Sequence, residues 1–326
     1  MRRHRLRSAL AACSFLVAGL ATGCGHATRT PAGPGLEKKT ITVAEVPLVD
    51  EAALHVAVTQ KLFQAEGLNV RVEPVTQSIA ALPALKRGQL DVIAGANYVT
   101  FLQAHQQGTI DLRIISPGAA EAPRFMQLLV LPNSPIRTPK DLEGKTVAVN
   151  ILNNIQSLTL NEVLKANHVD PAKVKYRAVP FPSMDKALKN HDVDAIHTAD
   201  PFTTNFQQEL GTRMVVDGGG APVTGLPVSG YVTTREFVSK YPKTAAAFQR
   251  AMEKAQSLAG DRARVNAVLP SFAHVDAATA AKLNLPQYPT SLDPAGFQRL
   301  ADLMLSAGLL KGAINVSDVL FQAPAK

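Results

Sequence analysis

Tryptophan is absent from this 326-residue chain, and aromatic residues make up 5% of it. A large aromatic stacking site is not expected from so few rings. Cysteine is almost as scarce, with only Cys13 and Cys24. Two cysteines near one end cannot build a disulfide framework or a thiolate metal site. His55, His105, His168, His191, His197 and His274 show no ligand spacing with one another or with cysteine. Past residue 23 lysines and arginines never cluster into a basic run, so no nucleic-acid footprint is present. Past residue 20 no apolar stretch is long enough to span a membrane. Catalytic signatures are missing as well. There is no G-x-S-x-G elbow and no paired carboxylates that read as general acid and base. Gly144-Lys145-Thr146 has the tail of a phosphate-binding loop, but Pro139 stands where that loop needs glycine, and the tripeptide opens a strand instead of following one. Gly218-Gly219-Gly220 lacks G-x-G-x-x-G spacing and reads as a flexible connection. No cofactor or metal is expected, and nothing marks the chain as an enzyme.

What is present begins with a targeting segment. Arg2, Arg3, Arg5 and Arg7 form a charged head, and Ser8 to Leu20 is an apolar run of roughly 13 residues, which suits a secretory leader. Leu20-Ala21-Thr22-Gly23-Cys24 follows, and it resembles a bacterial lipobox, with Ala21 where leucine is commoner. The resemblance implies cleavage of residues 1–23 and lipid on Cys24. That cleavage removes four arginines and no acid, so the net charge falls from +8 to +4. Residues 24–39, rich in Pro, Gly and Thr, read as a flexible tether.

The rest suits two domains, since 326 residues exceed one small domain and 46% are hydrophobic. Alternation and helical spacing predict strands at 41–44, 68–73, 91–94 and 112–115, with helices between them built on Leu54, Val58 and Leu62, on Ile79, Leu82 and Leu85, and on 98–107. Asp50 is placed to cap the first of these helices. A second set follows, with strands at 146–149, 174–179, 194–197 and 213–216 and helices starting near 155, 183 and 203. Alternating strands and helices mean parallel βαβ units. Ala84-Leu85-Lys86 with Leu90-Asp91-Val92-Ile93 echoes Ala187-Leu188-Lys189 with Val193-Asp194-Ala195-Ile196 at a constant offset of 103 residues. The echo reads as two lobes of one topology, and it sets Asn97 and Asp200 at matching positions just past a strand. Residues 125–131 and 228–234 read as two hinge strands that pair with each other. Lobe one is then 40–131 plus 228–326, lobe two is 132–227, and the Ala-rich helices beyond Tyr241 return to cover lobe one.

The loop between strand 146–149 and its helix holds Asn150, Asn153, Asn154 and Gln156. A loop from a strand's carboxyl end into a helix N-terminus is where α/β sheets bind ligands. Asn153 or Asn154 can equally be a helix cap and nothing more. Asp200, ahead of Pro201, can face the same cleft, cap the next helix, or do both.

These residues carry a resemblance to ABC-importer substrate-binding lipoproteins of the nitrate, sulfonate, taurine and thiamine-pyrimidine binding group. The matching pieces are Pro47-Leu48-Val49-Asp50 leading to Lys61–Val70, Ala84–Val92, Asp141–Val149, and Asp194-Ala195-Ile196 with Asp200-Pro201-Phe202. The resemblance covers residues 40 to 320 and rests on the order of the pieces. It implies a type II periplasmic-binding-protein fold, two α/β lobes joined by two hinge crossings, with a small polar solute held between them. It places binding at Pro47, Leu48, Ser78, Asn97, the Asn150–Gln156 loop and Asp200. It implies an extracytoplasmic, lipid-anchored monomer that hands its solute to an ABC permease with its ATPase. Asp200 stands where glutamate is common, and no Trp lies beside it. With Asp200 as the only charge among these residues, a neutral or amine-bearing solute, such as a pyrimidine-type vitamin precursor, is expected over sulfonate or nitrate. Tyr98, Phe202 and Tyr231 are the available stacking partners. Two other classes stay open, an enzyme of cofactor-precursor metabolism on the same fold and a sensor without transport. The lipobox argues against the enzyme.

Overall fold

The structure, a computed structural model, describes residues 35–324. The leader, the Cys24 junction and most of the tether lie outside the described residues. Ten strands form two five-stranded sheets. The first holds β1 (Thr40–Glu45), β2 (Asn69–Pro74), β3 (Val92–Asn97), β4 (Leu112–Ala120) and β10 (Pro227–Thr234). The second holds β5 (Met126–Val130), β6 (Thr146–Val149), β7 (Lys175–Ala178), β8 (Ala195–Ala199) and β9 (Arg213–Asp217). Their orders are β2-β1-β3-β10-β4 and β7-β6-β8-β5-β9. In each sheet three strands run parallel and the fourth is antiparallel to its neighbours.

The two sheets are therefore one topology used twice, and the echoed sequence has a physical job in both. Asp91 and Asp194 precede β3 and β8. Their carboxylates accept the backbone N–H of Thr42 at 3.0 Å and of Thr146 at 2.8 Å. Each aspartate thus ties the start of one central strand to its parallel neighbour.

The expected pairing of 125–131 with 228–234 does not occur. β5 inserts between β8 and β9, and β10 between β3 and β4. Every residue of β5 is buried, which fits a central strand covered on both faces better than an edge ribbon. The lobe boundary expected at residue 131 consequently falls past β5, inside the second sheet. The chain crosses between sheets at 121–125 and again at 218–226. The two crossings lie side by side: Glu121 N–H donates to Leu226 O at 2.9 Å, and Gly225 N–H to Glu121 O at 2.8 Å. Two of the three glycines are there for space. A Cβ on Gly218 would sit 2.2 Å from His197 Nε2, and one on Gly219 would sit 2.2 Å from Ala122 O.

Two smaller differences concern the first lobe. The helix built on Leu54, Val58 and Leu62 breaks into Ala52–Thr59 and Leu62–Ala65, with Lys61 at φ +56°. The break lets Phe63 turn inward and stack on Phe248 at 5.2 Å, while Val58 stays exposed. The tether ends before Lys39, because Glu37 accepts the N–H of Thr244 at 3.0 Å and Lys38 N–H donates to Thr244 Oγ1 at 3.1 Å. Helix Pro242–Ala259, which carries Phe248, packs on the first sheet, and its Gln256 Nε2 donates to Pro117 O at 2.6 Å.

Candidate functional site

β1, β3, β6 and β8 end at a common cleft between the two sheets, and the loops that leave them enclose a cavity of about 50 Å³. Leu48, Ser78 and Asn97 line it from the first lobe, and Asn150, Asn154 and Gln156 from the second. Sequence reasoning named all six. A larger hollow of about 340 Å³ lies elsewhere, beside Lys38, Lys86, Arg87 and Lys240. It is lined by the first lobe alone, and its Lys38 is already paired with Asp91. The interlobe cavity is the better candidate because both halves of the chain converge on it.

The polar side chains around the cavity are largely committed to holding its walls. Asn154 caps helix Ile155–Ala166, accepting the N–H of Gln156 at 3.1 Å and of Ser157 at 3.4 Å. Asn97 caps helix Tyr98–Gln106 through Thr100 N–H at 3.3 Å. Gln156 Oε1 accepts Asn150 N–H at 2.7 Å, and its Nε2 donates to His197 O. The lobes also touch across the cleft. Gln77 Nε2 donates to Asn150 O at 3.0 Å, and Gln103 Nε2 to Asn153 O at 2.9 Å. The cleft is therefore closed.

Three expected residues stand elsewhere. Pro47 lines a neighbouring apolar recess with Phe181 and Phe202, whose rings stack at 5.5 Å. Asn153 is exposed at φ +54° and offers only its carbonyl to Gln103. Asp200 is fully buried and does not line the cavity. One oxygen accepts Thr204 N–H at 2.8 Å, and the other accepts the backbone and side-chain N–H of Asn284. It is a cap and an interlobe tie, so it cannot set the charge a solute meets. Tyr98 and Tyr231 are not stacking partners either. Both are buried inside the first lobe, against Phe297 and Phe248.

Asp50, Phe125 and Ser229 line the cavity and were missed as site residues. Asp50 makes no cap bond. It packs into the wall, where Ser229 Oγ donates to its Oδ2 at 2.6 Å and its Oδ1 has no partner. Burial pushes its carboxyl up to about 6, against the opposing pull of the Ser229 hydrogen bond. Glu51 beside it is fully buried with neither oxygen bonded. Burial raises its carboxyl well above the usual range, and the charges of Asp50 and Glu45 add to that. Glu45, also buried, pairs with His55 at 2.8 Å. The only sequence signal for this group was three acids within seven positions, at a strand end and a helix start.

The sequence model of the NMT1/THI5 like family matches residues 49–262, more than half of the chain and nearly all of the cleft. This chain belongs to that family. The NMT1/THI5-like chain is also 25% identical over 287 residues to the nitrate import ATP-binding protein NrtC of Synechocystis. The match takes in 78% of this chain and 38% of NrtC, so the chain spans well under half that relative's length. Two solved structures share its fold. The alkanesulfonate-binding protein SsuA of Xanthomonas axonopodis pv. citri, bound to MOPS, superposes with a TM-score of 0.74 at 19% identity. That superposition covers 89% of this chain and 100% of SsuA. The periplasmic nitrate-binding protein NrtA of Synechocystis PCC 6803 gives 0.73 at 15% identity, covering 88% and 87%. The fold of the NMT1/THI5-like chain is the two-lobed type II periplasmic-binding-protein fold. No helix among the described residues is long and apolar enough to cross a membrane.

Proposed function

We propose that this protein is the extracytoplasmic solute-binding component of an ABC importer. It captures a small polar solute between its lobes and presents it to a permease driven by an ATPase. The observation that carries this reading is the closed cleft, where the ends of both sheets meet over a cavity of mixed polar and apolar lining and glutamines from one lobe bond the loops of the other. A two-lobed molecule with two side-by-side crossings can open there to admit solute and close over it. The family membership and the importer component NrtC support the same reading. Fold alone does not separate a binding protein from an enzyme. The absence of a recognisable nucleophile or acid–base pair in the sequence favours binding. In this proposal residues 1–23 are a leader and Cys24 carries the lipid that holds a monomer at the membrane.

Native mass spectrometry of the protein purified without denaturation, followed by small-angle scattering with and without the co-purifying compound, tests capture. One small molecule bound per chain is expected, with a smaller radius when it is present. An unchanged radius at saturation removes the closing-cleft mechanism, and chemical turnover of the compound removes the binding-protein reading.

A further inference from the structure

The cavity wall contains no lysine, arginine or histidine. Its one ionisable lining residue is Asp50, deeply buried, with Oδ1 lacking any partner. An anion in such a cleft would rely on helix N-terminal N–H groups. Several of those groups are already held. Thr100 N–H is held by Asn97, Gln156 and Ser157 N–H by Asn154, and Asn150 N–H by Gln156 Oε1. The one ionisable group the wall offers a solute is the Asp50 carboxylate.

We infer that Asp50 is the specificity-determining residue of the cleft and that the solute is a small organic cation or amine whose N–H binds the free oxygen of Asp50. This rests on the cleft being the solute site, as proposed above. A buried carboxylate oxygen without a partner is costly when the site is empty, and that cost is relieved when a charged donor reaches it. Ser229 holds the other oxygen, which leaves Oδ1 as the unpaired acceptor of this cavity-lining carboxylate. A nitrate or sulfonate at the same place meets like charge in a low-dielectric wall.

The test is calorimetry with guanidinium, methylammonium, 4-aminopyrimidine, nitrate and methanesulfonate on wild-type protein, Asp50→Asn and Ile151→Trp. Asn is nearly isosteric, and Trp at Ile151, a lining loop residue, fills the cavity. At least one cationic or amine probe should bind wild type while the anions do not. Asp50→Asn should weaken that probe at least tenfold, the scale of losing a charge-assisted hydrogen bond. A thermal melt keeps the variant interpretable: ligand-free Asp50→Asn should melt no lower than wild type, since it relieves a buried charge. Silence of every amine and cation overturns the inference. So does binding of nitrate or methanesulfonate that Asp50→Asn leaves unchanged or tightens. If those anions bind and Ile151→Trp abolishes them, the cleft reading stands and only the solute class falls. If a probe binds wild type and Ile151→Trp equally well, the cleft reading itself fails.

Discussion

Replacing Asp200 by alanine separates a structural tie from a solute contact. Alanine removes the acceptor of Thr204 N–H at the start of helix Phe202–Leu210. Loss of such a cap costs about 1 kcal/mol. It also strands the Asn284 amide donors, 84 residues away in sequence. A buried donor left without a partner costs about 1–3 kcal/mol. Together these predict a loss of about 2–4 kcal/mol, or roughly 4–10 °C in Tm for a chain of this size. Asp200→Asn should also be destabilised, though less. Its amide group must point a donor at either Thr204 N–H or Asn284, because both sides of the carboxylate accept. The assay is denaturant and thermal unfolding of ligand-free protein by circular dichroism, with solute binding measured on the same samples. An Asp200→Ala protein as stable as wild type that no longer binds solute would refute the reasoning and return Asp200 to the site.

Two further outcomes follow from the geometry and a third from the sequence. Asp50 titrates near 6 when folded, against an ordinary value of 3.8. The folded state therefore holds its proton longer than the unfolded chain, and this group's contribution falls as pH rises from about 4 to 6, by about 3 kcal/mol. Glu51, shifted the same way, extends that loss to higher pH. Unfolding free energy measured from pH 4 to 8 should decline less in Asp50→Asn than in wild type, and parallel curves would contradict this. Removing both cross-cleft donors with Gln77→Ala and Gln103→Ala should raise the ligand-free radius of gyration by scattering and leave the unfolding midpoint within a few degrees, because each exposed or half-buried bond contributes about 1 kcal/mol. Cys24→Ala should move the protein from the membrane fraction to the soluble fraction, since stable anchoring needs more than one acyl chain on that residue. A variant that stays membrane-bound would remove the lipid assignment.

Most of the local structure was legible in the sequence because its causes are local. Alternating valines mark β2, a short β-branched run marks β6, and Asn154 caps its helix through bonds two and three residues away. The echo of Leu90-Asp91 in Val193-Asp194 revealed two copies of one sheet because each copy repeats the same short-range ties. Six of the cleft residues were legible for a related reason: loops at the carboxyl ends of parallel strands converge in any such fold. The partners that decide chemistry were not. β5 and β10 look alike in sequence, and only the sheet into which each inserts decides which lobe it serves. Asp50 reads as a helix cap until Ser229, 179 positions later, closes over it. Asp200 reads as a cleft residue until Asn284 fills its second oxygen. Burial of a charge is a property of what the distant chain places around it, so pattern and spacing name the candidate acids, and tertiary packing chooses which one lines the cavity.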